Sequence, residues 1–230
     1  DGIYILIKEV IDNSIDEFIM GHGSKIVIRL KDNRVRIRDW GRGIPLGKVI
    51  ECVSEINTGA KYNDDVFQFS VGLNGVGTKA VNALSSDFEV TSFRDGKFTN
   101  AVFKQGILVK ETSGKSDEAN GTEVIFTPDE ELFGDYTFNE DFIIARIWGY
   151  AYLNTGLSLE FNGRTFRSSK GLGDLLAKEV ADEGLYTTIH HKGERLEFAM
   201  THVSGTYGES YFSYVNGQHT SDGGTHLSAF

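Results

Sequence analysis

The segment 3–20 constrains this chain most. Its apolar residues Ile5, Leu6, Val10, Ile11, Ile15, Phe18 and Ile19 wrap most of a helical surface, and Gly21 and Gly23 end the pattern. A helix apolar around most of its girth packs inside a domain. The remaining stripe is acidic: Glu9, Asp12, Asn13, Asp16 and Glu17 fall at i, i+3, i+4, i+7 and i+8, one helical face. Such a stripe faces either solvent or a cleft. Facing solvent, it is an ordinary acidic surface. Facing a cleft, a carboxylate of the stripe is a general base one turn from Asn13, an amide able to hold Mg²⁺ through its oxygen. No Lys or Arg belongs to the stripe, whereas exposed helices mix signs to form pairs one turn apart.

The chain has 230 residues, enough for one large domain or one domain and part of a second. No apolar run approaches the roughly 18–20 residues that span a bilayer. The opening Asp1-Gly2-Ile3-Tyr4 lacks the positive start of a secretion signal. Cys52 is the single cysteine, so no disulfide framework forms; it is expected to be a buried, inert thiol in a cytoplasmic protein. The net charge of −10 repels phosphate backbones, so this region alone is not expected to bind DNA strongly.

Along the chain, 25–30 and 34–39 read as a hairpin turning at Asp32-Asn33. Residues 46–57 read as a helix, 58–77 as a long glycine-punctuated loop, and 77–84 as a helix. Strands are expected at 87–93, 98–104, 107–112 and 122–127, with a polar loop at 113–121. A helix over 140–154 has Asn139 as its N-cap. Strands follow at 157–161 and 164–167. The run Ser168-Ser-Lys-Gly-Leu-Gly173 marks a boundary between residues 1–170 and 171–230. The second part reads as a helix over 172–181 and strands near 187–190, 195–203 and 210–216. His190 and His191 are read as surface residues rather than a metal pair.

Two further motifs bear chemistry. Val35, Ile37 and Asp39 share one strand face, and a core-facing carboxylate is costly unless paired. Trp40-Gly41-Arg42-Gly43-Ile44-Pro45 follows, with glycines that let the backbone pass close to something flat. Asp39 either closes an Asx-turn or accepts from an amino group in an apolar slot. Further on, Gly72-Leu73-Asn74-Gly75-Val76-Gly77 precedes a helix start, an arrangement that can present backbone N–H groups to phosphates. Its order fails both the P-loop and the dinucleotide glycine patterns.

In this order the three motifs resemble those of the GHKL ATPases. Glu9-Val-Ile-Asp-Asn13 is similar to the N-box, Asp39 to Pro45 to the first glycine box, and Gly72 to Gly77 to the second. Gly121-Thr122-Glu-Val is similar to the fourth motif. Glu9 to Glu17, Thr58-Gly-Ala-Lys61-Tyr62, Val81 to Ser85 and Asp222-Gly-Gly-Thr-His-Leu227 narrow the resemblance to B subunits of bacterial type IIA DNA topoisomerases.

The resemblance implies an α/β fold: a two-layer sandwich with a mixed β-sheet over 1–170, then the N-terminal part of an α/β transducer domain over 171–230. It implies ATP and Mg²⁺ as cofactors. Glu9 would be the general base and Asn13 the Mg²⁺ ligand. Asp39 and Thr122 would hold the adenine edge, with Arg42 over the base and paired to Glu17. Gly43, Ile44 and Pro45 would line the pocket. Lys61, Tyr62, Gly72, Leu73, Asn74, Gly75, Val76 and Gly77 would belong to a lid and phosphate loop.

Implied partners are a second B-type chain, the A-type chain in a heterotetramer of two copies each, and duplex DNA through that assembly. Aminocoumarin-type inhibitors are implied occupants of the ATP site. The sequence departs from the usual pattern at Asn74, where His is usual, and in a shorter loop after Pro45. Asn100 stands where gyrase B subunits commonly have Arg and topoisomerase IV B subunits often have Asn, which favours the topoisomerase IV branch. The resemblance also places a dimer arm before Asp1 and a γ-phosphate-sensing lysine after Phe230. Residues 1–230 alone are therefore expected to bind nucleotide but to hydrolyse it and dimerise poorly.

Overall fold

A computed structural model describes residues 2–55, 76–181, 186–204 and 207–230. Helix α1 spans Gly2–Ile19, and most of its apolar surface is buried: Ile3, Leu6, Ile7, Val10, Ile11 and Ile15 are inside, while Ile5 and Ile19 are exposed. Strands β1 (Lys25–Lys31) and β2 (Arg34–Asp39) form the expected hairpin. Asp32 and Asn33 hold φ of +49° and +60°, the left-handed pair that matches a tight turn to twisted strands.

A 3₁₀ turn at Leu46–Lys48 leads into α2 (Val49–Ser54), and α3 spans Gly77–Ala83. Strands β3 (Ser85–Arg94), β4 (Lys97–Lys104), β5 (Ile107–Lys115) and β6 (Gly121–Pro128) follow, then α4 (Glu130–Phe133), α5 (Glu140–Leu153), β7 (Ser158–Phe161) and β8 (Arg164–Phe166). Asn139 caps α5 by accepting from Asp141 N.

The eight strands form one mixed sheet in the order β5-β4-β3-β6-β2-β1-β7-β8. Only the β1–β7 pair is parallel. Register places Ile28, Ile37, Val124, Val90 and Ala101 side by side on one face. That face and the helices enclose the core, where Ile15, Ile28, Val35, Val90, Ile147 and Leu159 have no exposed surface. The opposite face carries Arg29, Arg36, Glu89, Asn100 and Glu123, half-buried or exposed. The result is a two-layer α/β sandwich.

Two sequence expectations shift here, and one element is added. The polar stretch 113–121 is not all loop, because β5 runs on to Lys115, paired with Lys97. Every residue of β5 is exposed, so polar composition there reflects an edge strand rather than a turn. Residues 46–48 begin as a 3₁₀ turn behind Pro45 instead of an α-helix. The short α4, capped by Asp129 accepting from Glu131 N, is an additional element.

Beyond β8, α6 (Leu172–Val180) packs on a hairpin of β9 (Ile189–Lys192) and β10 (Glu197–Met200). A second hairpin, β11 (Tyr214–Val215) and β12 (Gln218–His219), precedes α7 (Thr225–Ala229). The strands expected at 195–203 and 210–216 are thus shorter. Exposed side chains such as Tyr211 and Phe212 do not hold longer ones in place. Among the described residues, the buried apolar core ends at Phe166.

Candidate functional site

The inner face of the sheet turns polar at one end. Asp39 closes β2 there, opposite Ile26 of β1. Ser92 lies opposite Thr122 on one side and Thr99 on the other. Asp39 is only 6% exposed. Its Oδ1 accepts from Gly41 N at 2.9 Å and Thr122 N at 3.2 Å, and its Oδ2 from Ser14 Oγ at 3.2 Å. Burial pushes this carboxyl above its usual range, against the opposing pull of the Gly41 and Thr122 N–H groups and of Arg38. The Asx-turn therefore exists, but it uses one oxygen. The other meets a single hydroxyl among the described residues.

The glycine-bearing segment after Asp39 lies on the C-terminal half of α1. Arg42 binds Glu17 through three N–H groups: its backbone N at 2.9 Å, Nε at 3.1 Å and Nη2 at 2.9 Å. Burial acts to raise Glu17, yet the Arg42 hydrogen bonds outweigh it and the net shift is downward. A Cβ on Gly41 would sit 2.8 Å from Glu17 Cβ, so only glycine permits this approach. The Gly43 carbonyl accepts from Arg94 Nη1 at 3.1 Å, and the Ile44 carbonyl from Ser92 Oγ at 2.7 Å. Pro45 then starts the 3₁₀ turn.

Nearer the middle of α1, Asn13 Nδ2 donates to Glu9 O at 2.8 Å and to Thr78 Oγ1 at 2.7 Å. This ties α1 to the start of α3, where Val76 is the N-cap. A Cβ on Gly77 would collide with Glu9 Oε2. Glu9, Asn13, Ser14 and Glu17 thus touch three segments: Gly77-Thr78, Asp39 and Gly41-Arg42. Thr122 is joined to the same group through Asp39. Lys61, Tyr62, Gly72, Leu73, Asn74 and Gly75 lie outside the described residues.

The acidic stripe does not act as one face. Asp12 is 1% exposed and Asp16 2% exposed. Asp12 Oδ1 accepts from Tyr150 OH at 2.6 Å on α5, and Oδ2 from Lys8 Nζ at 2.7 Å and Gln218 Nε2 at 3.3 Å. So a lysine does balance the stripe, one turn before Asp12. A cavity of about 620 Å³ opens beyond this network, between α1, α5 and the β11–β12 hairpin, lined by Tyr4, Ile5, Phe142 and Tyr214 among others. Neither Glu9 nor Asp39 lines it.

Sequence reasoning missed Ser14, Thr78 and Ser92. Ser14 lies inside the Glu9-to-Glu17 motif but is hidden among charged neighbours. Thr78 and Ser92 have no local signal, since their partners come from distant strands and helices. Cys52 is half-buried rather than fully so, and burial pushes its thiol up. His190 pairs with Glu197 at 3.0 Å.

A helix bearing a carboxylate and an amide thus meets a buried aspartate at a strand end through close-packed glycine segments, within an α/β fold of the ATPase class. The chain belongs to the histidine kinase-, DNA gyrase B-, and HSP90-like ATPase family, whose profile matches residues 1–132. It is 58% identical to the B subunit of DNA topoisomerase 4 from Borreliella burgdorferi, over 100% of this chain and 38% of that protein. It is 34% identical to the B subunit of DNA gyrase from Clostridium acetobutylicum, over 100% of this chain and 39% of that one. The chain therefore spans well under half the length of these relatives. Among solved structures, the 43K ATPase domain of Thermus thermophilus gyrase B in complex with an aminocoumarin matches with a TM-score of 0.74 and 30% identity, covering 97% of this chain and 63% of that one. Among the described residues, no helix is long and apolar enough to cross a membrane.

Proposed function

We propose that this chain is the ATP-binding and ATP-hydrolysing region of a topoisomerase IV B subunit. The observation that carries the reading is the junction at α1: the Glu9–Asn13 pair and the buried Asp39 carboxylate meet through consecutive residues Asn13 and Ser14. A ligand spanning them needs an amino donor at one end and a reactive, charged group at the other. ATP has both. Its adenine amino group donates to Asp39 Oδ2, Thr122 flanks the base, and Arg42, held by Glu17, covers it beside Gly43, Ile44 and Pro45. Lys61 and the amides near Gly72, Gly75 and Gly77 would serve the phosphates, with Tyr62, Leu73, Asn74 and Val76 as further ATP-binding residues.

The donor chemistry fits Mg²⁺. Asn13 spends its Nδ2 on Glu9 O and Thr78 Oγ1, and its amide oxygen is the hard donor this ion takes. Bound there, the ion would neutralise phosphate charge. Glu9 accepts a proton from water as the water oxygen attacks the γ-phosphorus. The bond from that phosphorus to the β–γ bridging oxygen breaks, and ADP leaves.

Residues 171–230 form part of a transducer domain. In the complete protein, ATP binding closes a homodimer, and the A-type chain joins as a heterotetramer with two copies of each. That assembly passes one DNA duplex through another in the cytoplasm. Aminocoumarins occupy the adenine end of the site. Relatedness to a topoisomerase 4 protein at 58% against 34% for a gyrase protein supports the topoisomerase IV branch; a gyrase B role is the second reading. Decatenation rather than supercoiling by the reconstituted holoenzyme separates them.

The chemistry is tested with the complete protein. Glu9→Ala is expected to keep ATP binding while turnover falls ~10²-fold or more, the scale of general-base catalysis. Turnover within about threefold of wild type would remove Glu9 from the role.

A further inference from the structure

We propose that Lys8 is a positioning residue for the Glu9 carboxylate and is itself anchored by Asp12. The proposal rests on Glu9 being the base that activates water. Lys8 Nζ lies 2.7 Å from Asp12 Oδ2 and 3.5 Å from Glu9 Oε1. Adjacent residues on a helix do not face each other. A long stem, drawn back by a carboxylate one turn ahead, brings the ammonium round to Glu9.

The anchor is fixed. Asp12 is 1% exposed and is also held by Tyr150 OH and Gln218 Nε2. The Lys8 and Glu9 side chains are 19% and 27% exposed, so the contact is not a fully solvated ion pair of the kind that contributes little. Glu9's other oxygen is confined as well, since a side chain at Gly77 would collide with Oε2. One oxygen faces a cation and the other lies against a glycine, which sets the plane of the carboxylate between α1 and α3. A general base works only within hydrogen-bond reach of the proton it removes, and small misplacements are costly. Gln218 belongs to β12, so the same anchor ties the base to the C-terminal hairpin.

The test uses the complete protein carrying Lys8→Met, Lys8→Arg, Glu9→Gln, and Lys8→Met with Glu9→Gln. It measures kcat and KM for ATP and equilibrium binding of a non-hydrolysable ATP analogue. Lys8→Met should lower kcat about threefold to tenfold, with analogue affinity within about twofold of wild type. Lys8→Arg should recover most of the loss. In the Glu9→Gln background, adding Lys8→Met should leave residual turnover unchanged, because residues acting as a unit are non-additive. Wild-type kcat in Lys8→Met, or an equal loss in both backgrounds, would overturn the positioning role. Wild-type turnover in Glu9→Gln would overturn the assignment of the base itself, and the anchor with it.

Discussion

Two buried aspartates, Asp12 on α1 and Asp39 at the end of β2 against it, differ in how they are satisfied. Asp12, toward α5, accepts from a phenol, an ammonium and an amide. Asp39, toward the end of the sheet, has one oxygen held by two backbone N–H groups and the other by a single serine hydroxyl at 3.2 Å. Burial leaves Asp39 with a raised pKa. A buried carboxylate with its acceptors filled holds structure together. One with spare acceptor capacity is kept at a cost in stability and suits a ligand donor. The same helix thus separates a structural side from a recognition side.

The comparison breaks most visibly if Asp12 proves dispensable. Asp12→Ala should destabilise the protein by about 1–3 kcal/mol, because it removes the acceptor that the buried Tyr150 hydroxyl and the Lys8 ammonium share. Urea denaturation reads the loss, and ADP affinity of the folded protein should be unchanged. A loss below about 1 kcal/mol would mean that the network is only a surface pair.

Asp39→Asn should do the reverse. The amide oxygen can still accept from Gly41 N and Thr122 N, so stability is expected to change little. The amide would present N–H groups where an amino group must donate, and an unmatched buried polar contact costs on the order of 1–3 kcal/mol. Calorimetric titration should therefore give ADP binding at least about tenfold weaker. Equal affinity in wild type and variant would place the base elsewhere.

The smallest effect is in pH. Asp39's folded pKa lies above its unfolded one, so its contribution to stability is full at pH below the ordinary carboxylate range. That contribution is lost as pH rises through the folded value. A donating amino group favours the ionised form, so nucleotide binding releases a proton, and affinity should fall as pH drops into this window. Titration in buffers of different ionisation enthalpy reads the proton. Asp39→Asn should abolish its release, and release that persists would assign the proton to another group.

Much of this division was legible in the sequence, because it follows from local periods. Period two along β2 put Asp39 on the core face with Val35 and Ile37. Helical spacing put Glu9 and Asn13 together, whereas Gly41 and Gly77, read as making room for a ligand, meet Glu17 and Glu9 of α1 in the structure. Asp12 was misplaced because helical geometry alone groups it with the stripe. Its partners Tyr150 and Gln218 lie 138 and 206 positions away, and no local pattern predicts such contacts. The polar end of β5 failed differently, since an exposed edge strand and a loop share a composition. Ser92 was unreadable until register placed it between Thr99 and Thr122.

The most direct test is a crystal structure of the complete protein with Mg²⁺ and a non-hydrolysable ATP analogue. The account predicts the adenine amino nitrogen within hydrogen-bond distance of Asp39 Oδ2 and the terminal phosphate facing Glu9 and Asn13. A base seated away from Asp39, or phosphates that leave Glu9 without a path to an attacking water, would contradict it.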